Sequence, residues 1–464
     1  AAGRFDAPGI RVWTPPRDLT RGMAFTCGDM DRDGDLDLFI GQYKSPYESG
    51  SMPTPCDNAL DGLPAYLLRN EGDGGFRDAT PGSGLEPKRH RRSYSASFAD
   101  LDQDGALDLV VVSDFAGLDV HRGDGQGHFQ EATARWFPQP QGLGMGHALS
   151  DFNADGLPDV LMIGMQSPTV DRLLHLGLRR EKSDLERWRQ ATHGNRLWLG
   201  LAGGTGFEPW PLKENATRTG WSWGCTAADF DNDGWPDLAV ANGMESRLTV
   251  RDYEPEFWLH DVFVGNSADH PAAHLYFQAK IARTQGRGQS YGGHEKNRLL
   301  LNQSGDSFLE AAHLLGVALE EDSRNLVGAD LDADGRQDLV VTSFDAWPRP
   351  RQTLHVFRNT LPDTGPWIGF HLPPACADSC GATVTLSSRG KRSLRMQVTG
   401  DSHRSQHPAT AHFGLGDLGA PEAVEIRWAS GALTRIESPA PGRYHTVPPP
   451  ASRSLKPRAN SQSP

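Results

Sequence analysis

A nine-residue acidic phrase recurs five times along this chain of 464 residues. Each copy has aspartate or asparagine at positions 1, 3 and 5, glycine at position 6 and aspartate at position 9. We call the copies loops 1 to 5, and they span residues 29–37, 100–108, 151–159, 229–237 and 330–338. Repetition of this kind indicates a repeat architecture in which each unit is one small supersecondary structure.

The residues around the loops predict strands. A short apolar run follows each loop, rich in β-branched residues and bounded by turn residues, which is the pattern of a buried strand. A second repeated phrase, at 67–80, 119–133, 196–210 and 298–312, has two strand-like runs around a glycine-rich turn and predicts a hairpin. One unit therefore has four short strands and one acidic loop. Radial stacking of such units predicts an all-β fold, a β-propeller.

Two long insertions affect the number of units. Residues 164–195 are charged and helical in pattern, whereas residues 243–297 are aromatic and bear histidines. The second insertion is long enough to hold a degenerate blade, so the five clear repeats leave six or seven blades open. Phe5-Asp6-Ala7 ends a hairpin phrase whose head is at residues 354–359. Strands from both ends of the segment 1–360 would then close the propeller together.

The five loops fit the coordination chemistry of calcium, which binds about six to eight oxygen atoms in a flexible cage. Side chains at positions 1, 3, 5 and 9 and the carbonyl of position 7 supply such a set, and glycine at position 6 allows the turn. An EF-hand closes with a later glutamate between helices, whereas these loops close at position 9 between strands. A catalytic carboxylate cluster is the alternative, but five equivalent copies favour a structural role.

The loops are thus predicted to hold up to five Ca²⁺ ions. Asn153 replaces an aspartate in loop 3, which predicts that loop 3 is the weakest site because one ligand charge is missing. The predicted side-chain ligands are Asp29, Asp31, Asp33, Asp37, Asp100, Asp102, Asp104, Asp108, Asp151, Asn153, Asp155, Asp159, Asp229, Asp231, Asp233, Asp237, Asp330, Asp332, Asp334 and Asp338, and the carbonyl ligands are Asp35, Ala106, Leu157, Trp235 and Arg336.

Charge and hydropathy exclude some partners. The net charge is −13, from 46 basic and 59 acidic residues, and a nucleic-acid or anionic-membrane partner calls for a basic face. No apolar run approaches the length of about 18 residues that predicts a transmembrane segment. The start of the chain, Ala1-Ala2-Gly3, has the small residues of a mature end after signal cleavage. Of the five cysteines, Cys376 and Cys380 are spaced for a local disulfide, and two unpaired thiols are the alternative.

A second candidate site lies where the first strand of each unit faces the propeller channel. Aromatic rings, arginines and one histidine there suit an anionic or sugar-like ligand. The alternative is packing, with tryptophans filling the axis, arginines paired with acids and the histidine in a core. The predicted channel residues are Arg92, Tyr94, His147, Trp221, Trp223, Arg324 and Asn325.

Two further segments bear polar residues. Residues 290–297 form a polar, glycine-containing loop that is predicted to lie over the channel and lacks the spacing of a phosphate loop. His403, His407 and His412 suggest zinc only if a helix places the first two on one face. Because the surrounding sequence indicates strand and loop, ordinary surface histidines are favoured.

The loops and their strands resemble FG-GAP (VCBS-type) repeats, which also build the propellers of integrin α-subunits. The resemblance covers about residues 20–360. Residues 361–447 resemble the ASPIC/UnbV domain, through the sequence words at 381–386, 400–406, 412–416 and 424–431. Together they are similar to the cartilage acidic protein family and its bacterial relatives. The resemblance implies a secreted, calcium-binding propeller without a settled activity, and many relatives have proline where this chain has Ala429.

We therefore expect an extracellular or periplasmic calcium-binding propeller that recognises a protein or carbohydrate partner. The alternative is a natural-product or glycan-related enzyme with its active site at the channel mouth, and a hydrogen bond between His147 and a carboxylate would favour it. Integrin-like adhesion is a third hypothesis. The tail, residues 448–464, is rich in proline and serine and is predicted to be disordered.

Overall fold

The computed structural model describes residues 19–45, 57–72, 75–177, 182–211, 214–264, 270–362, 364–374, 376–416 and 419–450. In this part of the chain, five antiparallel sheets follow one another, each built around one acidic loop. The four strands of sheets 1 to 4 are hydrogen-bonded in chain order, and sheet 5 has three strands among the described residues. The all-β class predicted from the sequence is confirmed. Phe5-Asp6-Ala7 and residues 451–464 lie outside the described residues.

The strands of the five sheets are short, as the sequence predicts. Sheet 1 has β1 (Gly22–Gly28), β2 (Asp37–Gln42), β3 (Tyr66–Asn70) and β4 (Phe76–Asp78). Sheet 2 has β5 (Arg92–Ala99), β6 (Asp108–Asp114), β7 (Gly117–Gly123) and β8 (Phe129–Glu131). Sheet 3 has β9 (Gly144–Ser150), β10 (Asp159–Gly164), β11 (Arg196–Gly200) and β12 (Phe207–Pro209). Sheet 4 has β13 (Ser222–Ala228), β14 (Asp237–Asn242), β17 (Arg298–Asn302) and β18 (Phe308–Glu310), and sheet 5 has β19 (Asp322–Ala329), β20 (Asp338–Asp345) and β21 (Arg351–Phe357).

The second strand of a sheet can be buried on both faces, which explains its uninterrupted apolar sequence. In β6, Leu109 and Val111 pack in a core with residues of sheet 1, whereas Val110 and Val112 pack in a core with residues of sheet 3. Complete burial of each such side chain contributes roughly 1.5–3 kcal/mol. The sheets are therefore held face to face by side chains that alternate along one strand.

The first strands of the five sheets, which we call the central strands, lie next to one another in chain order. β1 contacts β5, β5 contacts β9, β9 contacts β13 and β13 contacts β19. In every sheet the last residue of the central strand pairs with the aspartate at position 9 of its loop, as Gly28 pairs with Asp37. All five acidic loops therefore lie at the same end of the central strands.

Helices are found mainly in the two insertions, at the opposite end of the central strands from the loops. The predicted helical pattern of 164–195 is confirmed by α2 (Pro168–His175) and α3 (Lys182–Ala191). The 243–297 insertion, which left a further blade open, instead forms α5 (Glu254–Val264), α6 (Pro271–Gly286) and a parallel pair, β15 (Thr249–Asp252) and β16 (Gln289–Ser290), among its described residues. The short helices α1 (Thr133–Trp136) and α4 (Glu214–Thr217) precede β9 and β13. No helix of the described residues has the length and apolar character needed to cross a membrane.

The C-terminal domain has its own core between two sheets. One sheet has the order β25-β22-β28 and the other β24-β23-β26-β27. The core contains Ile368, Phe370, Val384, Phe413 and Trp428, all almost completely buried. The strands are β22 (Trp367–His371), β23 (Thr383–Ser388), β24 (Lys391–Met396), β25 (Thr410–Gly414), β26 (Ala423–Arg427), β27 (Leu433–Glu437) and β28 (Tyr444–Thr446). Short 3₁₀ helices lie at Glu86–Lys88, before β5, and at Ala377–Ser379 in this domain.

The disulfide expected between Cys376 and Cys380 is not formed, and both thiols are free. Cys376 precedes a 3₁₀ helix and Cys380 follows it. The Cys380 thiol instead lies 3.9 Å from the thiol of Cys27 in β1. The packing of the C-terminal domain on sheet 1 thus places Cys380 beside a cysteine that is distant in sequence.

Candidate functional site

The aspartate at position 9 attaches each acidic loop to its sheet. In loop 1, Met30 N donates to Asp37 Oδ2 at 3.1 Å, and Asn70 N, at the end of the third strand, donates to Asp37 Oδ1 at 2.8 Å. Both carboxylate oxygens are therefore satisfied by backbone donors, as buried polar groups require. The equivalent pair of hydrogen bonds is made by Asp108, Asp159, Asp237 and Asp338.

The aspartate at position 1 organises the turn itself. In loop 1, Asp29 Oδ2 accepts from Gly34 N at 3.0 Å and Asp29 Oδ1 accepts from Asp33 N at 3.0 Å. Glycine at position 6 has a positive φ in every loop, between 84° and 101°, as predicted. The sequence did not reveal that position 4 is also left-handed, with φ of 49° to 60° at Arg32, Gln103, Ala154, Asn232 and Ala333.

Four of the loops bring three carboxylates together. In loops 1, 2, 4 and 5, one oxygen from each of three aspartates lies within 4.8 Å of the others. Asp31 Oδ1 and Asp100 Oδ1 are buried without a hydrogen-bond partner among the described residues, an arrangement that costs free energy unless a cation supplies the missing interaction. The residues therefore fit a hard divalent cation such as Ca²⁺. The converging aspartates are 29, 31 and 33; 100, 102 and 108; 229, 231 and 237; and 330, 332 and 338.

The electrostatics of the loops show the same unbalanced charge. Burial, together with a smaller effect of neighbouring carboxylates, raises the pKa of Asp37 to about 7 and that of Asp100 to about 7. The pKa of Asp237 is raised well above its ordinary value, first by burial and then by Asp229. A positive charge held among these groups would reverse the effect.

An arginine partly balances three of the loops. Arg69 contacts Asp31 at 2.5 Å, Arg122 contacts Asp102 at 2.6 Å and Arg358 contacts Asp332 at 2.7 Å. Each arginine stands one residue before the third-strand donor to position 9. At the corresponding positions next to loops 3 and 4 the chain has Leu199 and Leu301.

The C-terminal domain contacts the loops of sheets 3, 4 and 5. Leu394 N donates to Asp151 Oδ2 at 2.9 Å, and Gly414 N donates to Asp229 Oδ2 at 3.0 Å. The Tyr444 hydroxyl donates to Asp330 Oδ2 at 2.8 Å. The C-terminal domain therefore donates a hydrogen bond to the aspartate at position 1 in each of three successive loops.

One loop of this domain, residues 399–404, reaches all five central strands. We call it the inserted loop. Ser402 N donates to His147 O at 2.7 Å, and Ser402 Oγ accepts from Cys225 N at 2.9 Å. Its hydrogen-bond partners, one on each central strand, are Thr26, Ser97, His147, Cys225 and Asn325.

The seven predicted channel residues do not form a single group. Tyr94, Trp221 and Trp223 come together, with Trp221 and Trp223 parallel at a centroid distance of 6.2 Å. Arg92 forms an ion pair with Asp61 at 2.8 Å, and Asn325 donates to the inserted loop. The packing alternative, with arginines paired to acids, is therefore right for Arg92.

The main partners of Arg324 are backbone carbonyl oxygens and an aromatic ring. Its guanidinium donates to the carbonyl oxygens of Gly243 and Met244 and lies over the Trp223 ring, 4.5 Å from the centroid. The positive charge that favoured an anionic ligand is therefore occupied by backbone and ring contacts.

His147 is completely buried between two serines. Its Nδ1 lies 2.8 Å from Ser95 Oγ, and its Nε2 lies 2.9 Å from Ser97 Oγ. Burial lowers the pKa of His147 to about 4, with a smaller opposing effect of Asp401. Because both ring nitrogens bond to serines, the carboxylate hydrogen bond that the enzyme hypothesis needed is not formed.

Tyr94, Trp221 and Trp223 border a cavity of 230 Å³ at the end of the central strands that is remote from the acidic loops. Residues of the 243–297 insertion cover it. That insertion is rich in aromatic residues, but the sequence alone does not locate the cavity. We call it the aromatic cavity. Its lining consists of Tyr43, Tyr94, Asp114, Phe115, Leu143, Met145, Met165, Trp221, Trp223, Met244, Tyr253, Phe257, Trp258, Ile281 and Tyr291.

The polar loop 290–297 lies beside this cavity. Tyr291 contributes to its lining, with its ring 4.9 Å from that of Trp221. Glu295 accepts a hydrogen bond from Trp221 N at 2.6 Å. The loop thus helps to position a cavity tryptophan through its glutamate.

The three C-terminal histidines are not the surface residues that we expected. His403, in the inserted loop, is buried with its ring 5.2 Å from that of Trp223. His412 is buried and its Nε2 lies 2.8 Å from Asn232 Oδ1. His407 Nδ1 lies 3.0 Å from Asp401 Oδ2. Burial lowers the pKa of His407, but the Asp401 carboxylate outweighs this effect and raises it. The three take separate partners, which does not favour a shared zinc ion.

Comparisons with protein families match both parts of the chain. The FG-GAP-like repeat matches residues 57–111, 100–162 and 187–240. The ASPIC and UnbV family matches residues 374–454. The repeats coincide with parts of sheets 1 to 4, and the second match contains most of the C-terminal domain.

Among curated proteins, cartilage acidic protein 1 of Homo sapiens is 28% identical over 422 residues, which cover 89% of this chain and 51% of that protein. The Mus musculus protein is also 28% identical over 422 residues, covering 89% and 52%. The chain thus spans about half the length of these relatives. Among solved structures, the V. cholerae biofilm matrix protein Bap1 is 10% identical with a TM-score of 0.33, covering 90% of this chain and 59% of that one, and so weak a likeness supports no inference.

Proposed function

We propose that this chain is an extracellular calcium-binding β-propeller that recognises a protein or carbohydrate partner. The chain carries FG-GAP repeats and an ASPIC and UnbV domain, and it is homologous to cartilage acidic protein 1. The acidic loops would hold the metal at one end of the propeller. The opposite end, with the aromatic cavity and the helical insertions, would meet the partner.

The adjacency of the central strands supports the propeller. They follow one another in chain order from β1 to β19, and the inserted loop bonds to every one of them. Arg404 also joins the two ends of this series, because its Nε lies 3.1 Å from Met23 Sδ and its carbonyl accepts from Asn325. A ring of sheets around one loop accounts for these contacts together.

The single observation that carries the metal assignment is the convergence of three carboxylates in four equivalent loops, with a buried oxygen left without a donor in two of them. Positions 1, 3, 5 and 9 would supply the side-chain ligands and position 7 the carbonyl. Calcium, when bound, supplies the charge that these groups lack. Magnesium suits them less well, because it prefers a rigid octahedral shell with several waters.

Metal content measured by mass spectrometry on the purified chain tests this assignment. We expect about four or five Ca²⁺ ions per chain, in line with the five loops. The Asp100→Asn variant should lose about one ion, because loop 2 loses the converging carboxylate at position 1, which is an aspartate in every loop. Asp124→Asn, in an exposed hairpin turn, is the matched control and should lose none. A calcium-free chain, or equal losses in both variants, would overturn the assignment.

Partner recognition is tested by presenting the calcium-loaded chain to arrayed glycans and to extracellular matrix proteins. The proposal expects binding that survives Asp124→Asn. It also expects weaker binding after substitutions around the aromatic cavity than after substitutions on β21. Equal effects of both sets would place the recognition surface elsewhere.

A further inference from the structure

The aromatic cavity combines ring faces with one buried carboxylate. Tyr43 and Tyr94 stack with their centroids 4.3 Å apart, and Tyr94 meets Trp223 edge-on at 5.6 Å. Trp221 lies parallel to Trp223. Asp114 accepts a hydrogen bond from the Tyr43 hydroxyl at 2.9 Å and is 5% exposed. The electron-rich faces of such rings attract cations.

The charge of the lining has one sign. Among the described residues that line the aromatic cavity, Asp114 has the carboxyl group, and none is a lysine, arginine or histidine. Arg92 and Arg324, which the sequence suggested for this site, are engaged by Asp61 and by backbone carbonyls. An anionic ligand would therefore meet a carboxylate instead of a guanidinium.

An acidic cavity adjoins the aromatic one. It has a volume of 390 Å³ and shares Met165 and Trp221 with the aromatic cavity. Three carboxyl groups line it, those of Asp252, Glu254 and Glu295, together with one cationic side chain, Arg172. Around the two residues that both cavities share, carboxyl groups thus outnumber cationic side chains, which favours a cation in the aromatic cavity.

Trp221 carries the observation that points most directly to a ligand. The residue is 8% exposed, and its indole Nε1 is buried without a hydrogen-bond partner among the described residues. Trp223 differs, because its Nε1 donates to Gly243 O at 2.9 Å. A buried donor without an acceptor is costly, and a ligand oxygen would satisfy it.

We propose that the aromatic cavity binds a small organic cation, a quaternary or alkylated ammonium group that carries one hydroxyl or carbonyl oxygen. The ammonium group would lie against the rings of Tyr94 and Trp221, with Asp114 as its counter-charge, because the Trp223 ring already carries the Arg324 guanidinium. The oxygen would accept from Trp221 Nε1. A monosaccharide fits less well, because most of its hydroxyl groups would face apolar lining without partners.

The ligand class proposed for the cavity end of the chain goes beyond the protein or carbohydrate partner of the proposed function. It does not depend on the metal loops, which lie at the other end of the central strands. The calcium content of the same sample therefore reports separately on the metal-binding part of the proposed function.

The test is calorimetric titration of the full, calcium-loaded chain with choline and with 3,3-dimethyl-1-butanol, its uncharged isostere. Choline should bind, and the isostere should bind at least about tenfold more weakly because it lacks the cation–π attraction. In Asp114→Asn the affinity for choline should fall about tenfold while the calcium content stays unchanged. Asp345→Asn, in sheet 5, is the control and should bind choline like the parent chain.

A second variant guards against a folding effect at the rings. In Trp221→Phe an aromatic face remains but the indole N–H is lost, so the affinity for choline should fall more than the affinity for tetramethylammonium, which has no oxygen. Equal affinity for choline and the isostere would show an apolar site and overturn the proposal. No binding of either compound by a chain with full calcium content would overturn it too.

Discussion

The thiol of Cys27 in β1 lies 3.9 Å from the thiol of Cys380 in the C-terminal domain, although 353 residues separate them. The hydrogen bond from Cys380 lowers the pKa of Cys27 to about 6 despite the opposing effect of burial. Cys27 is therefore the better nucleophile of the pair at neutral pH. The two cysteines offer a covalent readout of how the domains are docked.

Oxidised glutathione should convert this pair into a disulfide. The Cys27 thiolate attacks the reagent and releases one reduced glutathione, and Cys380 then displaces the second, so two protein thiols are oxidised as one reagent disulfide is reduced. A peptide map without reductant should show the Cys27–Cys380 linkage. Cys376→Ser should keep it and Cys380→Ser should abolish it. A Cys376–Cys380 linkage in the parent chain would contradict the docked arrangement.

Ser402→Ala tests the inserted loop. The change leaves Cys225 N buried without its acceptor, which should destabilise the chain by about 1–3 kcal/mol. Ser405→Ala is the matched control, because Ser405 donates to His403 O from a less buried position and leaves no amide unsatisfied. Denaturant unfolding of both variants measures the difference. Equal stability of the two would show that the contact with β13 contributes little.

Asn153→Asp should strengthen the predicted weakest metal loop. Asn153 Nδ2 now donates to Asp155 Oδ2 at 2.9 Å, and a carboxylate at this position would add a ligand charge in its place. The affinity of loop 3 for calcium should rise by about tenfold. Calcium titration of Asn153→Asp beside Gln352→Glu, which makes the same amide-to-carboxylate change at an exposed position of β21, checks this. An equal response of both variants would indicate a general charge effect.

His147 predicts acid sensitivity. Its pKa of about 4 in the folded chain lies below the ordinary value of 6.5, so the unfolded chain binds the proton first and stability falls as the pH drops from about 6.5 towards 4. The loss is on the order of 3 kcal/mol if the imidazole stays neutral throughout. Asp401 is the charged group that opposes this shift.

A His147→Gln variant measures that contribution. The amide can still bond to Ser95 or Ser97 but cannot be protonated. Its unfolding free energy should therefore decline less between pH 6.5 and pH 4 than that of the parent chain. A parallel decline of the two would show that His147 is protonated in the folded state or contributes nothing.

Local sequence patterns predict the parts of the fold that short-range interactions determine. The five loops, their strands and the helical insertion follow from short-range periodicity and turn chemistry, and Gly34 marks its turn by residue type alone. The positive φ at position 4 cannot be predicted in this way, because Arg32, Gln103 and Ala154 share no side-chain property.

Long-range contacts were not accessible in this way. Nothing in the sequence near Ser402 indicates that it meets Cys225, and nothing near Asp114 indicates that it lines the same cavity as Trp221. The strand pattern predicts the end of the strand at which Arg324 lies, but not its partners, which are backbone carbonyls of a distant insertion. Composition shows which groups are present, whereas the packing of sheets and insertions decides which of them meet.

The most direct test of the metal-held fold is calorimetric unfolding of the full chain in calcium and after removal of calcium by EDTA. Each occupied site adds about 2.7 kcal/mol when free calcium is a hundredfold above its dissociation constant. The unfolding temperature should therefore fall by about 10 °C in EDTA and recover with added calcium more fully than with magnesium. An unfolding temperature that is the same in EDTA and in calcium would contradict the role assigned to the five loops.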